Sequence, residues 1–222
     1  MNKNIKIRNA TYKDCKNIAK IHVGSLNESF LGTLGEKFLN LFYRALIEHK
    51  NSKVIVIEDD NKIIGFVSGS SDTKSFYKYF LKSKFIHAGI NLLPKVVSLN
   101  TLRKILETLT YPNNEITTSE LPKAELLSIA LTKDVLRKGL GKTLFYALAD
   151  EFNKEEIYKF KITVGDNLFY ANKFYQKMGC IKVAEIEVHK GEKSNIYVFD
   201  NKNSKLWGFD GYINSKNLWI NK

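Results

Sequence analysis

Hydrophobic and polar positions alternate along this chain with two periods, one typical of strands and one typical of helices. Residues 5–8 alternate at period two and predict a first strand. A helix capped at Thr11 follows, and then a one-sided apolar stripe over residues 29–47 that predicts a second helix. Two β-rich runs, residues 53–58 and 62–68, flank an Asp-Asp-Asn turn signal. The chain therefore opens as a strand, two helices and a hairpin.

The second half of the chain alternates strands with helices. Leu144, Leu148 and Phe152 recur at four-residue spacing and predict the buried face of a helix. A final hairpin is predicted with its turn at residues 190–194. In chain order the predicted elements are a strand at 123–131, a helix at 139–152, a strand at 158–164, a helix at 168–178, and strands at 183–189 and 195–199.

Residues 72–120 interrupt this pattern. Helical apolar stripes at residues 76–81 and 96–109 predict a helical insertion between the third and fourth strands. Such an insertion either covers one side of a binding cleft or supplies extra core or an oligomer contact, and the pattern leaves both open. We expect one domain over residues 1–200 and an aromatic C-terminal tail over residues 201–222 that docks at least in part.

The composition is that of an ordered globular protein. The 222 residues are 44% hydrophobic and 12% aromatic, and no apolar run reaches the ~20 residues that span a bilayer. Cys15 and Cys180 are too few for a disulfide framework, and residues 1–5 lack the apolar stretch of a secretory signal, so we expect a cytoplasmic location. The cysteines and the scattered histidines, His22 among them, form no metal-ligand spacing, so no metal site is predicted.

The formal net charge of +12 is high enough to suggest nucleic acid or an anionic membrane as a partner. The lysines, however, are spread along the whole chain, which favours a generally basic surface. We therefore expect neither a membrane nor a nucleic acid as the partner, and keep a basic nucleic-acid-binding protein as the least favoured alternative.

An apolar strand with one carboxylate leads into a glycine loop. Glu125 lies near the start of the strand, and Gly139-Leu140-Gly141 opens the next helix between basic residues. Small residues at a helix start let main-chain N–H groups approach a ligand, and the helix dipole adds partial positive charge there, so the loop suits a phosphate or pyrophosphate. Two nucleotide motifs do not fit, because the P-loop needs a glycine at Leu136 and the dinucleotide fingerprint needs one at Leu144.

This loop resembles the acyl-CoA loop of the GCN5-related N-acetyltransferases (GNAT), whose consensus is Gln/Arg-x-x-Gly-x-Gly/Ala. The Ala-Glu pair that opens the preceding strand is similar to the histone-acetyltransferase branch. Asn167 and the run Ala-Asn-Lys-Phe-Tyr-Gln-Lys-Met-Gly at 171–179 are similar to the family's downstream segment. Leu136 replaces the usual Gln or Arg, and Cys180 replaces the usual Phe. The resemblance covers residues 5 to 200. Because the family's loop contacts the pyrophosphate mostly through its main chain, we expect Leu136 to weaken cofactor binding little.

The resemblance implies an α/β (α+β) fold with a mixed, mostly antiparallel central sheet flanked by helices. It also implies acetyl-CoA as the cosubstrate, held by the main chain of the strand and of the loop and by two asparagines. The residues that it assigns to cofactor binding are Ile129, Ala130, Leu131, Arg137, Lys138, Gly139, Leu140, Gly141, Lys142, Asn167 and Asn172.

Two side chains carry the catalytic roles that the resemblance implies. Acetyl transfer to an amine needs a neutral amine, and the departing thiolate needs a proton. Glu125 stands where the similar branch has its catalytic glutamate, and is the candidate base, directly or through a water; the alternative is a solvated charge at a strand end. Tyr175 is the candidate general acid, because a phenol can protonate a thiolate; the alternative is core packing on a helix face.

The sequence thus predicts an acetyl-CoA-dependent N-acetyltransferase that works by direct transfer in a ternary complex. The acceptor is a primary amine of a small molecule, an amino sugar for instance, or of a protein or peptide, and the sequence does not separate these. A non-catalytic acyl-CoA-binding or interaction module is the alternative from another class. The sequence is compatible with a homodimer and does not decide the oligomeric state.

Overall fold

The computed structural model describes residues 5–85, 121–189 and 191–204. Its strands are β1 (Ile5–Asn9), β2 (Ser52–Asp59), β3 (Lys62–Ser70), β4 (Glu125–Leu131), β5 (Lys159–Gly165), β6 (Ile181–His189) and β7 (Glu192–Asp200). Its helices are α1 (Cys15–Ser25), α2 (Phe30–Thr33), α3 (Gly35–Glu48), α4 (Thr73–Phe80), α5 (Leu140–Lys154), α6 (Phe169–Lys177) and α7 (Asn201–Ser204).

These strands form one sheet in the order β1-β2-β3-β4-β5-β7-β6. Neighbouring strands are antiparallel, except that β4 and β5 run parallel. A parallel pair needs a crossover connection, and α5 provides it. The expected fold, a mixed and mostly antiparallel sheet flanked by helices, is confirmed.

Each face of the sheet has its own hydrophobic core. One core packs α1, α3 and α4 against the sheet around the fully buried rings of Phe42 and Phe66. The other packs α5 and α6 around Phe145 and Phe160. The central strands β2 and β3 are therefore buried on both faces, which explains their nearly continuous apolar runs.

Two predicted patterns are confirmed in detail. Leu144, Leu148 and Phe152 lie along the inner face of α5 and are fully buried. The first hairpin turns at Asp60 and Asn61, which have φ angles of +49° and +66°. Asp and Asn tolerate this left-handed region, as a two-residue hairpin turn of this kind requires.

The apolar stripe over residues 29–47 is divided between two helices, so the prediction of a single helix there is wrong. Ser29 caps α2, and its hydroxyl oxygen accepts a hydrogen bond from the Gly32 N–H at 3.1 Å. Gly35 at the start of α3 has φ +80°. That angle lies outside the helical region, so α2 ends before Gly35 and a new helix starts there.

The final hairpin turns earlier than predicted. β7 begins at Glu192, so Lys193 pairs with Glu187 and Ser194 with Ile186 in the ladder instead of forming the turn. An antiparallel pair at the side of a sheet tolerates polar residues, which made this strand end look like a loop.

The insertion predicted at residues 72–120 begins with α4, and its part from residue 86 onward lies outside the described residues, as does the tail from residue 205. Among the residues that the structure does describe, no helix is both long enough and apolar enough to cross a membrane.

Candidate active site

β4 and β5 separate after two residue pairs. Glu125 lies opposite Lys161 and Leu126 lies opposite Ile162, and the ladder between the two strands ends there. Along residues 127–131, the N–H and C=O groups on the β5 side of β4 therefore have no strand partner, although the Leu131 carbonyl accepts a hydrogen bond from the Ser25 hydroxyl at 2.7 Å. Main-chain polar groups of this kind need another hydrogen-bonding partner, so this stretch can pair with an extended ligand.

A bulge in β4 lies where the two strands part. On the β3 side, Ser68 pairs with Ser128 and Gly69 pairs with Leu126, so Leu127 is the extra residue. A bulge bends its strand and increases the local twist. The bend therefore comes at the last pair that β4 makes with β5.

The gap between the strands opens into a cleft of about 540 Å³. β4 and β5 border it, the glycine loop and α6 lie on one side, and α1, α2 and α4 contribute residues to the other. The predicted site residues that line the cleft are Glu125, Ile129, Ala130, Leu131, Gly141 and Tyr175. The other predicted cofactor residues lie outside this lining: Arg137, Lys138, Gly139, Leu140, Lys142, Asn167 and Asn172.

The glycine loop presents unengaged main-chain N–H groups at the start of α5. Gly139 is the N-cap with φ +80°, and the first helical hydrogen bond runs from Thr143 N–H to the Gly139 carbonyl. Within the described residues, the N–H groups from 137 to 141 donate no hydrogen bond. The end of a 15-residue helix adds partial positive charge at the same place. This loop fits a pyrophosphate group.

The basic side chains of this loop take different positions. Lys138 turns back and donates to the Asp134 carbonyl at 2.9 Å, and Lys142 Nζ lies 5.9 Å from the centre of the Tyr146 ring. Arg137 is exposed and has φ +62°, a left-handed conformation that a non-glycine residue rarely adopts. The loop geometry therefore favours main-chain binding of an anion, with the side chains adding charge around it.

Tyr175 reaches the cleft from α6. Its ring packs against Phe174, at 5.2 Å between ring centres, and against Tyr197, at 6.3 Å, and only 6% of the residue is exposed. Burial raises the pKa of its phenol above the ordinary tyrosine value. Tyr175 therefore holds its proton throughout the neutral range, as a general acid must.

Glu125 is a buried carboxylate that lines the same cleft. The Thr163 hydroxyl donates to its Oε1 at 2.9 Å, and Lys161 Nζ lies 3.9 Å from its Oε2. Among the described groups, none donates a hydrogen bond to Oε2. Burial raises the pKa of Glu125, while Lys161 and the hydroxyls of Thr163 and Thr73 act in the opposite direction. A solvated charge at a strand end, the alternative considered from the sequence, does not describe this residue.

The acetyltransferase (GNAT) family model matches residues 23–180. The chain belongs to the GNAT family. As a member, it is an N-acetyltransferase with acetyl-CoA as its cosubstrate. The comparison with curated proteins, by contrast, returns no match.

Solved structures share this GNAT fold. SsHAT superposes with a TM-score of 0.68 at 15% identity, over 89% of this chain and 98% of that one. The PaiA N-acetyltransferase from Thermoplasma acidophilum, solved with coenzyme A, gives 0.53 at 15% identity, over 88% and 98%. The ribosomal-protein-S18-alanine N-acetyltransferase from Escherichia coli gives 0.54 at 15% identity, over 88% and 93%. At these identities the likeness shows the fold.

Asn172 of this GNAT protein is engaged within the protein. Its Nδ2 donates to the carbonyls of Gly165 and Leu168, each at 2.9 Å. Its Oδ1 accepts from Asn195 Nδ2 at 2.9 Å and from the Tyr197 hydroxyl at 3.0 Å. These bonds fasten α6 to β5 and β7, so Asn172 fixes the helix that carries the candidate acid. Asn167, by contrast, is exposed in the turn before α6.

His22 on α1 is a site residue that sequence analysis missed. It lines the cleft, is 1% exposed, and its Nδ1 lies 2.6 Å from the Tyr43 hydroxyl oxygen. Burial lowers the pKa of its imidazole to about 4, so it is neutral at physiological pH. The available signal was a histidine within the apolar stripe of α1, where a buried polar group needs a partner.

Replacing Asn172 with Ala should lower the free energy of unfolding by about 2 kcal/mol, because it removes the side-chain hydrogen bonds that join α6 to Gly165 of β5 and to Asn195 and Tyr197 of β7, and takes away the acceptor of the buried Tyr197 hydroxyl. The matched change Asn167→Ala should alter it by less than about 0.5 kcal/mol, since Asn167 is exposed. Denaturant unfolding of both variants measures the difference. Equal losses in the two variants would contradict a fastening role for Asn172.

Proposed function

We propose that this protein transfers an acetyl group from acetyl-CoA to a primary amine of a small molecule, directly and within a ternary complex. One observation carries this. Where β4 separates from β5, the edge of β4 has no strand partner, and this edge lies beside the open N-terminus of α5. The same cleft contains a buried acid and a buried carboxylate.

The cosubstrate would be held mainly by main-chain groups. The edge of β4 that β5 leaves free between Ile129 and Leu131 suits the amide-bearing arm of coenzyme A, which can pair with its remaining groups as an added strand; the Leu131 carbonyl there already accepts a hydrogen bond from the Ser25 hydroxyl. The N–H groups from Arg137 to Lys142 suit the pyrophosphate at the helix N-terminus. Of the two asparagines assigned from the sequence, Asn172 would act by positioning α6, and exposed Asn167 is the one able to reach a ligand.

Glu125 would take the proton from the acceptor's ammonium group. Glu125 lines the cleft where β4 and β5 separate, and no described group donates a hydrogen bond of ordinary geometry to its Oε2. Burial raises the Glu125 pKa, which makes the carboxylate a stronger base than an exposed glutamate, while Lys161 and the hydroxyls of Thr163 and Thr73 favour its ionised form. A water between Oε2 and the amine is compatible with this role.

Tyr175 would give its proton to the departing thiolate. Its ring is fixed by aromatic neighbours on α6 and β7, and its burial keeps the phenol protonated. The acyl group would then lie between Glu125 and Tyr175, with the acceptor entering from the α1, α2 and α4 side. Both cysteines are buried as free thiols, which is compatible with the cytoplasmic location expected from the sequence.

Calorimetric titration with acetyl-CoA tests the cofactor site. The wild type should bind, and Gly141→Glu should weaken binding by about 10²-fold, because it sets a carboxylate against the phosphates at the helix start. A Cβ at Gly141 meets no atom closer than 3.5 Å, so the variant should fold. Gly24→Glu is the control, because it adds the same charge at an exposed position of α1, where a Cβ would have no atom within 4 Å. No binding by the wild type at millimolar cofactor would overturn the proposal.

Replacing Tyr175 with Phe should lower kcat by about 10²-fold, because only the proton donor to the thiolate is removed. The affinity for acetyl-CoA should stay within about twofold, since the ring and its packing remain. Tyr12→Phe, on a half-exposed tyrosine outside the cleft, is the matched control. Thiol release with an excess of amine measures the rate. An unchanged kcat in a variant that still binds acetyl-CoA would show that Tyr175 is not the acid.

Replacing Glu125 with Gln should lower kcat/KM by about 10²-fold and remove the acidic limb of its pH profile. The base acts only when ionised, and burial raises the Glu125 pKa, so the wild-type limb should lie above the ordinary glutamate value near 4.5. Glu151→Gln, a buried carboxylate paired with Lys154 on α5, is the control. A pH profile that keeps its acidic limb in Glu125→Gln would assign the base to another group.

A further inference from the structure

Lys161 and Glu125 form a buried ion pair where β4 and β5 separate. Lys161 Nζ lies 3.9 Å from Glu125 Oε2, and the two side chains are only 8% and 7% exposed. In every other ion pair between described residues, at least one of the two side chains is 34% or more exposed. Lysine is almost never buried to this degree unless it is paired, so this partner is part of how the chain holds Glu125.

The strand ladder brings the two charges together. Glu125 and Lys161 are partners in the short ladder that joins β4 to β5, and the Lys161 N–H donates to the Ala124 carbonyl at 2.9 Å. Side chains alternate along a strand, and Phe160 and Ile162, on either side of Lys161, belong to the core that α5 and α6 cover. The Lys161 side chain therefore lies on the opposite face of the sheet, together with Glu125.

Lys161 supplies the positive charge beside this carboxylate. The other described groups around it are neutral hydroxyls. Thr163 on β5 donates to Oε1 at 2.9 Å, Thr73 on α4 acts on the carboxylate in the same direction, and Ser70 is the ladder partner of Glu125 on β3. Hydroxyls stabilise a carboxylate by hydrogen bonding, but they cannot neutralise its charge.

The other titratable side chains of the cleft do not replace Lys161. Lys133 follows the far end of β4, and Glu192 begins β7 beyond the pair that Ser194 makes with Gly165, so both lie at the end of the strands remote from Glu125. The remaining ones among the described lining residues are phenols and one imidazole that burial keeps neutral, and none supplies a positive charge: His22, Tyr77, Tyr170 and Tyr175.

A buried carboxylate without a partner does not stay ionised. Moving a charge out of water is so costly that the group takes up a proton instead. An opposite charge a few ångströms away favours the ionised form, and Lys161 acts on Glu125 in that direction. Its 3.9 Å distance is too long for a hydrogen bond, so Lys161 stabilises the charge without occupying a lone pair of Oε2.

We propose that Lys161 is a positioning residue of the reaction: its ammonium group keeps the Glu125 carboxylate ionised in the neutral range and thereby sets the lower pH limit of acetyl transfer. The inference rests on the proposed function, because it concerns the base of that same site. It gives a role to a buried residue that lies outside the cleft lining and acts through Glu125.

NMR titration of the full chain tests the pair without turnover. Carbon-13 in glutamate carboxyl groups and nitrogen-15 in lysine ammonium groups report the two partners, and loss of a signal in Glu125→Gln or Lys161→Arg assigns it. The Lys161 Nζ signal should shift at the same pH at which the Glu125 carboxyl titrates. A Nζ signal that does not follow the carboxyl would overturn the inference. This measurement on the wild type decides even where a variant without the charge fails to fold.

Lys161→Met removes the charge and keeps most of the length of the side chain. In this variant the Glu125 carboxyl should titrate about one to three pH units higher than in the wild type. Lys161→Arg keeps the charge and should leave the midpoint at or below the wild-type value. Lys159→Met is the matched control, because Lys159 lies two positions earlier on β5, is 61% exposed and pairs with Asp200 at 3.2 Å. Equal midpoints in the wild type and Lys161→Met would overturn the inference.

Thiol release from acetyl-CoA, with 2-phenylethylamine as the probe acceptor, measures the consequence for the reaction. The acidic limb of kcat/KM should move upward in Lys161→Met by the same amount as the carboxyl midpoint, and should stay in place in Lys159→Met. The ionisation of the amine is common to all variants and cancels in the comparison. A merely structural role would lower kcat/KM by the same factor at every pH, and that result would overturn the inference. Failure of the proposed function looks different: no amine releases thiol from acetyl-CoA, while the two NMR titrations of the wild type stay coupled.

Discussion

The separation of β4 from β5 is the constraint on which the rest of this site depends. Two glycines of β3 set the path of β4 on its other side. A Cβ on Gly69 would lie 2.8 Å from the Glu125 carbonyl and 2.9 Å from Leu148 of α5. A Cβ on Gly65 would lie 2.4 Å from a methyl carbon of Leu131. β4 thus packs so closely against β3 that neither Gly65 nor Gly69 has room for a side chain. The strand is held against β3 and α5, and its free edge faces β5.

The cleft that results has two chemically different halves. At the start of α5, exposed main-chain N–H groups and a helix dipole suit a charged, solvated ligand group. At the α1 side, burial dominates: it raises the pKa of Glu125 and lowers that of His22 to about 4. Both shifts have the same physical cause, the cost of a charge in a poorly solvated environment. A bisubstrate enzyme needs this division, since its donor is highly charged and its acceptor must lose a charge to react.

The sequence predicted what depends on local pattern, and it missed what depends on distant contacts. The buried face of α5, the turn at Asp60 and the anion-binding loop each follow from residues close in sequence. The separation of the strands does not, because it depends on the pairing of β4 with two neighbours. The partners of His22 and Glu125 lie 21 and 38 positions away in the chain. Periodicity carries no signal for such pairs, so a histidine in an apolar stripe looked incidental.

The buried half of the cleft also bears on how the acceptor loses its proton. An alkylammonium group in water titrates near ~10, so it enters mostly charged. The burial that lowers the His22 pKa acts on any cation in the same environment, so an ammonium group bound on that side of the cleft would have a lowered pKa as well. Burial also raises the pKa of Glu125, the proposed base. The two pKa values would then approach each other from opposite sides, which would make the proposed proton transfer to Glu125 easier in the cleft than in water. Under the proposed mechanism, burial of the acceptor would thus contribute to catalysis.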